Sequence, residues 1–294
     1  MKRKLYTNEG AFRTREFPFV ITKAEIVRDF AYHSHEFSEL VLVTEGKACH
    51  VINGSESTAE TGEVFVFQGK SGHGFRNPEK LEFWNVMFKP EKIFPEQGDY
   101  RELPGFQALF VLQPKMSCRS GFRSRLKLAP EEFRTAVSIL ERINSEMTSK
   151  GAGYRSAVQS LFLQLAIILS RSYSMGRRDD HAPEYYKLAE TVAFIEGNFQ
   201  KPLRLSALSR MSAMSLRHFH RMFKRYYRMT PADYIIRLRT RHAADLLKNR
   251  NIRIFEIASA CGFHDSNYFS RIFRKHYGRS PLRFRTGEVI SKLP

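Results

Sequence analysis

The C-terminal part of this chain contains an internal repeat that restricts what this part can fold into. Residues 205–234 and 255–284 resemble each other at an offset of 49 to 50 positions. A repeat of this length indicates a duplicated supersecondary unit. The offset grows by one within the repeat, which predicts one extra residue in the turn of the second copy. The matched positions pair Phe219, Phe223, Pro231 and Tyr234 with Phe269, Phe273, Pro281 and Phe284.

Each copy follows the pattern of a helix-turn-helix unit. A short helix carries a small residue, Ser209 or Ala258, where the second helix must pack closely. The turn leads to an N-cap candidate, which is Ser215 in the first copy and His264 or Asp265 in the second. Aromatic residues at helical spacing in the second helices predict buried core stripes. Residues 231–248 predict one connecting helix of about 25 Å, with Pro in its first turn.

Helical spacing turns a second set of residues outward, and their chemistry suits DNA. Arg pairs with guanine, Asn pairs with adenine, and an acidic residue accepts a hydrogen bond from cytosine. N-terminal positions of such a helix reach base edges, while later basic residues meet phosphates. The predicted base contacts are Arg217, Arg221, Asp265 and Asn267, and the predicted phosphate contacts are His218, Arg225, Arg271 and Arg274. Any one of these arginines can instead be a solvated surface residue, and Asp265 can be only a helix cap.

The distribution of charge agrees with this interpretation. Residues 183–294 carry 22 Lys and Arg against 8 Asp and Glu, whereas residues 1–182 carry 26 against 22. Such an asymmetry favours a polyanionic partner for the C-terminal part, here double-stranded DNA. A solvated basic surface is the alternative.

Two segments, Ile254–Arg285 and Leu205–Leu247, resemble the AraC/XylS family of transcriptional regulators. The resemblance implies a ligand-responsive activator that binds two successive major grooves and recruits RNA polymerase. The stretches SLRHFHR and HDSNYFS are similar to those of sugar-responsive activators such as the rhamnose regulators, where the four predicted base-contacting positions are taken to read bases. Arg228 departs from the family pattern, which has Gly at this position, as this chain has at Gly278 in the second copy. A left-handed helix end suits Gly, so Arg228 is expected to strain the C-terminal end of the first unit's second helix.

The N-terminal part predicts a different class of structure. From about residue 17 to 90, short runs rich in Val, Phe and Leu alternate with turn signals, as in a small β-barrel or sandwich. Apolar periodicity predicts helices at 131–150 and 154–172. Apolar residues nearly encircle the second helix, which is explained by packing within the chain or by a homodimer contact.

These patterns together predict an α+β protein of two domains. The first domain, residues 1–174, is a cupin-like β-barrel with linking helices that senses an effector and forms the dimer. Residues 175–183 are charged and aperiodic, and they predict a linker. The second domain, residues 184–288, is all-α and contains two helix-turn-helix units joined by a long helix.

Four residues of the barrel resemble the cupin motifs. His33, His35 and Glu39 have the spacing of the first motif, and His73 represents the second. These groups can bind a divalent metal, which would make a metal-dependent cupin enzyme the rival function. They can also form an effector pocket for a small molecule such as a monosaccharide, or satisfy one another. Fusion to a DNA-binding domain favours the effector pocket, with no metal, no cofactor and no enzyme activity.

Trp84, the only tryptophan, is added to the effector-binding set as a candidate sugar-stacking platform, with core packing as the alternative. The three cysteines form neither a metal spacing nor a disulfide framework. No signal peptide and no apolar run long enough to span a bilayer are recognised, so a cytoplasmic protein without a membrane partner is expected.

Overall fold

The computed structural model divides the chain into two compact units, Met1–Glu190 (unit 1) and Thr191–Pro294 (unit 2). It describes residues 4–12, 14, 16–68, 72–113, 126–175, 183–249 and 251–286. Residues 176–182 of the predicted linker lie outside the described ranges, and the predicted domain boundaries stay a prediction.

Unit 1 is built on a barrel-like sheet, as the alternating runs predicted. The long strands β4 and β7 run antiparallel, from Ser38 opposite Phe88 to Ile52 opposite His73. The other strands add to these two, with β2 and β3 on β7 and with β5 and β6 on β4. Within the described ranges the strands are β1 (Lys4–Tyr6), β2 (Phe19–Ile26), β3 (Phe30–His35), β4 (Ser38–Ile52), β5 (Ser55–Glu60), β6 (Glu63–Gln68), β7 (His73–Phe88) and β8 (Leu126–Lys127).

The two faces of this sheet have different partners. Side chains alternate between faces along a strand, and one face, the barrel interior, forms an aromatic and aliphatic core that includes Phe65, Phe75 and Phe83. The opposite face packs on a helix, because Phe19 and Phe88 contact Phe162 with ring centroids 5.2 and 4.8 Å apart.

The helices of unit 1 lie close to their predicted bounds. The two long helices, predicted at 131–150 and 154–172, are α4 (Pro130–Ser149) and α5 (Tyr154–Met175). Many apolar residues of α5, including Leu161 and Leu165, are buried within the chain, so packing accounts for much of its apolar surface. The shorter elements are α1 (Asn8–Ala11), α2 (Pro90–Ile93), a 3-10 turn (Asp99–Glu102), and α3 (Pro104–Phe106), which continues as a π-helix (Gln107–Leu112).

Unit 2 contains the two predicted helix-turn-helix units. The turns between their paired helices span residues 212–215 and 261–265, so the second turn has the predicted extra residue. Phe219 and Phe223 are buried in the first copy, as are Phe269 and Phe273 in the second. The boundary between the two units falls inside α6 (Glu184–Asn198). The helices that follow are α7 (Leu205–Met211), α8 (Leu216–Tyr227), α9 (Pro231–Leu246), α10 (Ile254–Ala260), α11 (Ser266–Tyr277) and α12 (Pro281–Thr286).

Among the described residues, no helix combines the length and the hydropathy that a membrane span requires.

Candidate nucleic-acid interface and effector pocket

The two recognition helices begin with side-chain caps that fix their first turns. The Ser215 hydroxyl accepts a hydrogen bond from the backbone N–H of His218 at 3.3 Å. Asp265 does the same for α11, where its Oδ1 accepts from the backbone N–H of Tyr268. The cap expected as one role of Asp265 is therefore present. It occupies one carboxylate oxygen, and the second remains available for a base edge.

The residues predicted to contact DNA share the outer faces of α8 and α11. Seven of the eight are exposed, namely Arg217, Arg221, Arg225, Asp265, Asn267, Arg271 and Arg274, and His218 is half-buried. Two of the arginines are held by a ring one helical turn earlier. A terminal nitrogen of Arg221 donates to Nδ1 of His218 at 2.6 Å, and the Arg271 guanidinium lies 5.6 Å from the centre of the Tyr268 ring. A ring three residues earlier thus contacts one arginine on each outer face, by a hydrogen bond in α8 and by a cation–π contact in α11.

The ends of the two recognition helices have the same backbone conformation. Gly278 follows α11 with φ 73° and ψ −8°, and Arg228 follows α8 with φ 61° and ψ 16°. Both are left-handed. The non-glycine residue therefore keeps the conformation that glycine adopts, and the expected strain is local to Arg228.

In unit 1 the barrel brings the predicted histidines and Glu39 into contact. Glu39 Oε2 lies 3.0 Å from Nε2 of His35 and 2.9 Å from Nε2 of His73. The ring of His33 lies 4.3 Å from that of His73, centre to centre. All four side chains are buried. Three elements position them, because His33 and His35 lie on β3, Glu39 on β4 and His73 on β7.

The ring orientations follow from neighbouring backbone carbonyls, which can only accept hydrogen bonds. Nδ1 of His33 lies 3.0 Å from the Ala31 oxygen, and Nδ1 of His35 lies 2.7 Å from the Phe37 oxygen. Each Nδ1 must therefore carry the proton. This leaves Nε2 of both rings turned toward the interior.

Burial and mutual contact set the charges within the cluster. Burial, together with His73, lowers the pKa of His33 to about 4, so this ring is neutral at pH 7. Burial alone would raise the pKa of Glu39, but the charges and hydrogen bonds of His73 and His35 outweigh it and hold that pKa well below its ordinary value. Glu39 is thus an ionised carboxylate surrounded by imidazoles.

Two further polar residues join this group, and the sequence reasoning missed both. The side-chain amide of Asn85 donates to Glu39 Oε1 at 2.5 Å. His50 is fully buried, with its ring centre 6.1 Å from that of His73. Strict alternation from Glu39 would place His50 on the opposite face of β4. The register shifts between Val43 and Cys49, however, turn it inward, and such irregularities leave little local sequence signal.

Trp84 does not join the cluster, although it was predicted as part of the same effector set. Its neighbour on β7, Phe83, belongs to the barrel interior, so alternation places Trp84 on the other face. There it lines a groove of about 350 Å³ with Lys23 and Glu82, against Phe133 of α4. The structure therefore does not bring Trp84 together with the histidines and Glu39, and its sugar-stacking role stays a prediction.

The cluster also fits the donors of a metal site. His33, Glu39 and His73 each offer a ligand atom, and these atoms lie within 4.8 Å of one another. Imidazole and carboxylate ligands suit divalent transition metals. The same atoms are hydrogen-bonding groups for a hydroxylated ligand, so the donor set is compatible with either occupant.

Comparison with known proteins distinguishes between the regulator and the enzyme. A cupin domain model matches residues 25–87 and a helix-turn-helix domain model matches residues 208–287. The HTH-type transcriptional activator RhaS of Salmonella arizonae is 31% identical over 259 residues, which cover 88% of each chain. RhaS of Escherichia fergusonii is 29% identical over 263 residues, or 89% of this chain and 90% of that protein.

This chain belongs to the AraC/XylS family of transcriptional regulators. It is a DNA-binding regulator with a cupin sensor region, and the cupin-enzyme alternative is not favoured, because the relatives are transcriptional activators.

A solved structure is also similar. It is a transcriptional regulator with an AraC-type DNA-binding domain from Chromobacterium violaceum, 31% identical, covering 36% of this chain and 94% of that one, with a TM-score of 0.33.

Proposed function

We propose that this protein activates carbohydrate-utilisation genes in response to a small hydroxylated effector. Its two recognition helices insert into successive major grooves of double-stranded DNA. The observation that carries the proposal is the pair of capped helices α8 and α11, whose exposed faces hold Arg217 and Arg221 in one copy and Asp265 and Asn267 in the other. The RhaS relatives, which are transcriptional activators, support the direction of regulation.

The two recognition helices offer different chemistry. Arg217 and Arg221 suit guanines, whereas Asn267 suits adenine and the second carboxylate oxygen of Asp265 suits cytosine. The half-site is therefore asymmetric. The phosphate-contacting set His218, Arg225, Arg271 and Arg274 contributes affinity without sequence preference.

The barrel interior of unit 1 is the proposed effector pocket. His33, His35, Glu39 and His73 present donors and acceptors within a shell of aromatic rings, which is the composition of small-molecule sites. The pocket binds its effector without catalysis and without a metal. A regulator needs a ligand sensor more than a catalyst, and the relatives are regulators rather than enzymes.

A change in the barrel has a physical route along unit 1. The outer face of the sheet packs on Phe162 of α5. At the far end of α5, the hydroxyl groups of Tyr173 and Tyr185 are hydrogen-bonded at 2.7 Å, which ties α5 to α6. We infer that this contact carries the effector signal to α6, the helix that contains the boundary between the two units.

The remaining partners follow from the family. The protein acts in the cytoplasm as a homodimer, with α5 as the dimer contact, and recruits RNA polymerase to a nearby promoter. Since each protomer binds one asymmetric half-site, a dimer binds two such half-sites.

One experiment tests the central proposal. The full-length protein is used to select binding sites from random duplex DNA, with and without a panel of neutral monosaccharides. Selection of one asymmetric motif, with occupancy changed by one sugar, is the expected result. Equal affinity for all duplexes would overturn the proposal in favour of nonspecific binding.

A further inference from the structure

His50 occupies a part of the barrel interior that the cupin motifs do not reach. It lies on β4 opposite Phe75 of β7. Its ring stacks on Phe75 with centroids 4.5 Å apart, and meets the edges of Phe65 and Phe67 at 4.5 and 5.4 Å. Three phenylalanine rings therefore contact the ring of His50. The ring centre of His73 lies 6.1 Å from that of His50.

Neither ring nitrogen of His50 has a hydrogen-bonding partner among the described residues. A neutral imidazole offers one donor and one acceptor. Leaving such groups unsatisfied in a core is costly, and a phenylalanine would fill the same space without that cost.

The unpartnered atoms continue from His50 toward Glu39. Nδ1 of His73 and Oδ1 of Asn85 are also buried without a hydrogen bond from any described residue. The ring of His73 lies 6.1 Å from that of His50 and 4.3 Å from that of His33, centre to centre. These unpartnered atoms are donors and acceptors of the barrel interior, which is otherwise lined by phenylalanine rings.

The charged groups of the interior restrict the occupant. The carboxylate of Glu39 is already contacted by two imidazoles, since its Oε2 lies 3.0 Å from Nε2 of His35 and 2.9 Å from Nε2 of His73. Among the described residues, no Lys or Arg is buried in the barrel. A phosphate or carboxylate ligand would therefore lie beside the Glu39 carboxylate in a medium of low dielectric constant, with no buried Lys or Arg of the described residues to pair with it. A neutral polyhydroxylated molecule can instead donate to and accept from each of these atoms, with its C–H faces on the rings.

We propose that His50 is a specificity-determining residue of the effector pocket and hydrogen-bonds a hydroxyl of a neutral, unphosphorylated sugar. The inference rests on the proposed function, since it assumes that the barrel binds the effector. It adds a contact outside the four motif residues, and it excludes sugar phosphates and sugar acids as effectors.

The test uses the full-length protein and a defined panel of ligands. Thermal shift and titration calorimetry are run with L-rhamnose, L-arabinose, D-xylose and D-galactose, and with D-glucose 6-phosphate and D-gluconate as charged comparators. His50→Phe keeps the ring but removes both nitrogens, whereas His50→Gln restores a donor and an acceptor. Phe75→Leu is the packing control, because it alters the ring stacked on His50 without removing a polar atom.

We expect one neutral sugar to raise the Tm of the wild type and the charged comparators to leave it unchanged. His50→Phe should weaken binding of that sugar by about tenfold or more, while the Tm of its ligand-free form stays equal or rises. His50→Gln should recover part of the affinity. Phe75→Leu should lower the Tm and affect affinity less than His50→Phe does.

Each contrary result has its own meaning. If a neutral sugar binds the wild type and His50→Phe equally tightly, the proposed role of His50 is wrong, whereas the proposed effector pocket in the barrel is retained. If a charged comparator binds more tightly than every neutral sugar, the ligand class is wrong. If no panel member binds the wild type or changes its DNA binding, the sugar effector and this inference are both overturned.

Discussion

Nε2 of His35 lies 3.0 Å from Oε2 of Glu39, while Nδ1 of the same ring lies 2.7 Å from the backbone oxygen of Phe37. Because the carbonyl oxygen can only accept, Nδ1 carries a proton. At 3.0 Å, the contact between Nε2 and the carboxylate oxygen is attractive only with a proton between the two atoms. Glu39 is the shared acceptor, since His73 and Asn85 also contact it.

Glu39→Gln should therefore destabilise unit 1. The change removes the negative charge of the cluster and replaces one of the two acceptor oxygens by an NH2 donor, at a cost of about 3 kcal/mol in the free energy of unfolding. Trp84 is the only tryptophan and lies on β7 of unit 1, so its fluorescence during urea unfolding measures this unit. Glu45→Gln, exposed on the same strand, should change the free energy by less than about 0.5 kcal/mol. An equal effect of the two substitutions would contradict the central position of Glu39.

The stability of unit 1 should fall between pH 6.5 and pH 4. The pKa of His33 is lowered to about 4 in the folded state, chiefly by burial and next by His73. In this range the unfolded chain binds the proton and the folded chain does not, so stability is lost as the pH falls. The loss from His33 is roughly 2–4 kcal/mol. Unfolding followed through Trp84 at several pH values measures the slope, and His33→Asn should reduce it. His220→Asn in unit 2 should leave it unchanged, and an unaltered slope in His33→Asn would be evidence against the assignment.

Arg217→Ala and Asn267→Ala should each weaken binding to the selected DNA site by about 1–3 kcal/mol and relax preference at one position. The side chains lie near the starts of their recognition helices and are exposed. Fluorescence anisotropy with the selected site and single-base variants gives both quantities. Arg142→Ala removes one exposed charge from α4 and should not change base preference. Retention of the full preference in both helix variants would refute the base-reading assignment.

Arg228→Gly should stabilise unit 2 by about 1 kcal/mol, because Arg228 adopts a left-handed conformation that costs a non-glycine residue about this much. The reciprocal change, Gly278→Ala, should destabilise it by a similar amount, since φ at Gly278 is 73°. Hydrogen exchange of the α8 and α11 amides locates each effect. A destabilising Arg228→Gly would mean that the Arg228 side chain makes a contact worth more than the strain.

The double substitution Leu163→Arg with Ile167→Arg should convert the proposed homodimer to a monomer of 34.3 kDa. Both residues are partly exposed on α5 and lie one helical turn apart, whereas Leu161 and Leu165 are buried within the chain. Light scattering after gel filtration measures the mass. Ser156→Arg, exposed on the same helix, is the control and should leave the dimer intact. A wild type that is monomeric at micromolar concentration would rule out this contact.

The helix-turn-helix pair could be predicted from the sequence because its determinants are local. The buried stripe of Phe219 and Phe223, the cap at Ser215 and the proline at the start of α9 all act within one or two helical turns. The second copy, with Phe269 and Phe273, repeats the pattern. The outward faces followed from the same periodicity, so the exposed positions of Arg217 and Asn267 were predictable.

The composition of the polar cluster in the barrel was decided only by the tertiary structure. The prediction of His33, His35, Glu39 and His73 was possible because their spacing along the chain resembles the cupin motifs. His50, Asn85 and Trp84 depend instead on which face of the sheet each strand presents. Irregular register between β4 and β7 turns His50 inward, while unbroken alternation places Trp84 outside. A period of two cannot reveal such shifts, since they arise from pairing between residues distant in sequence.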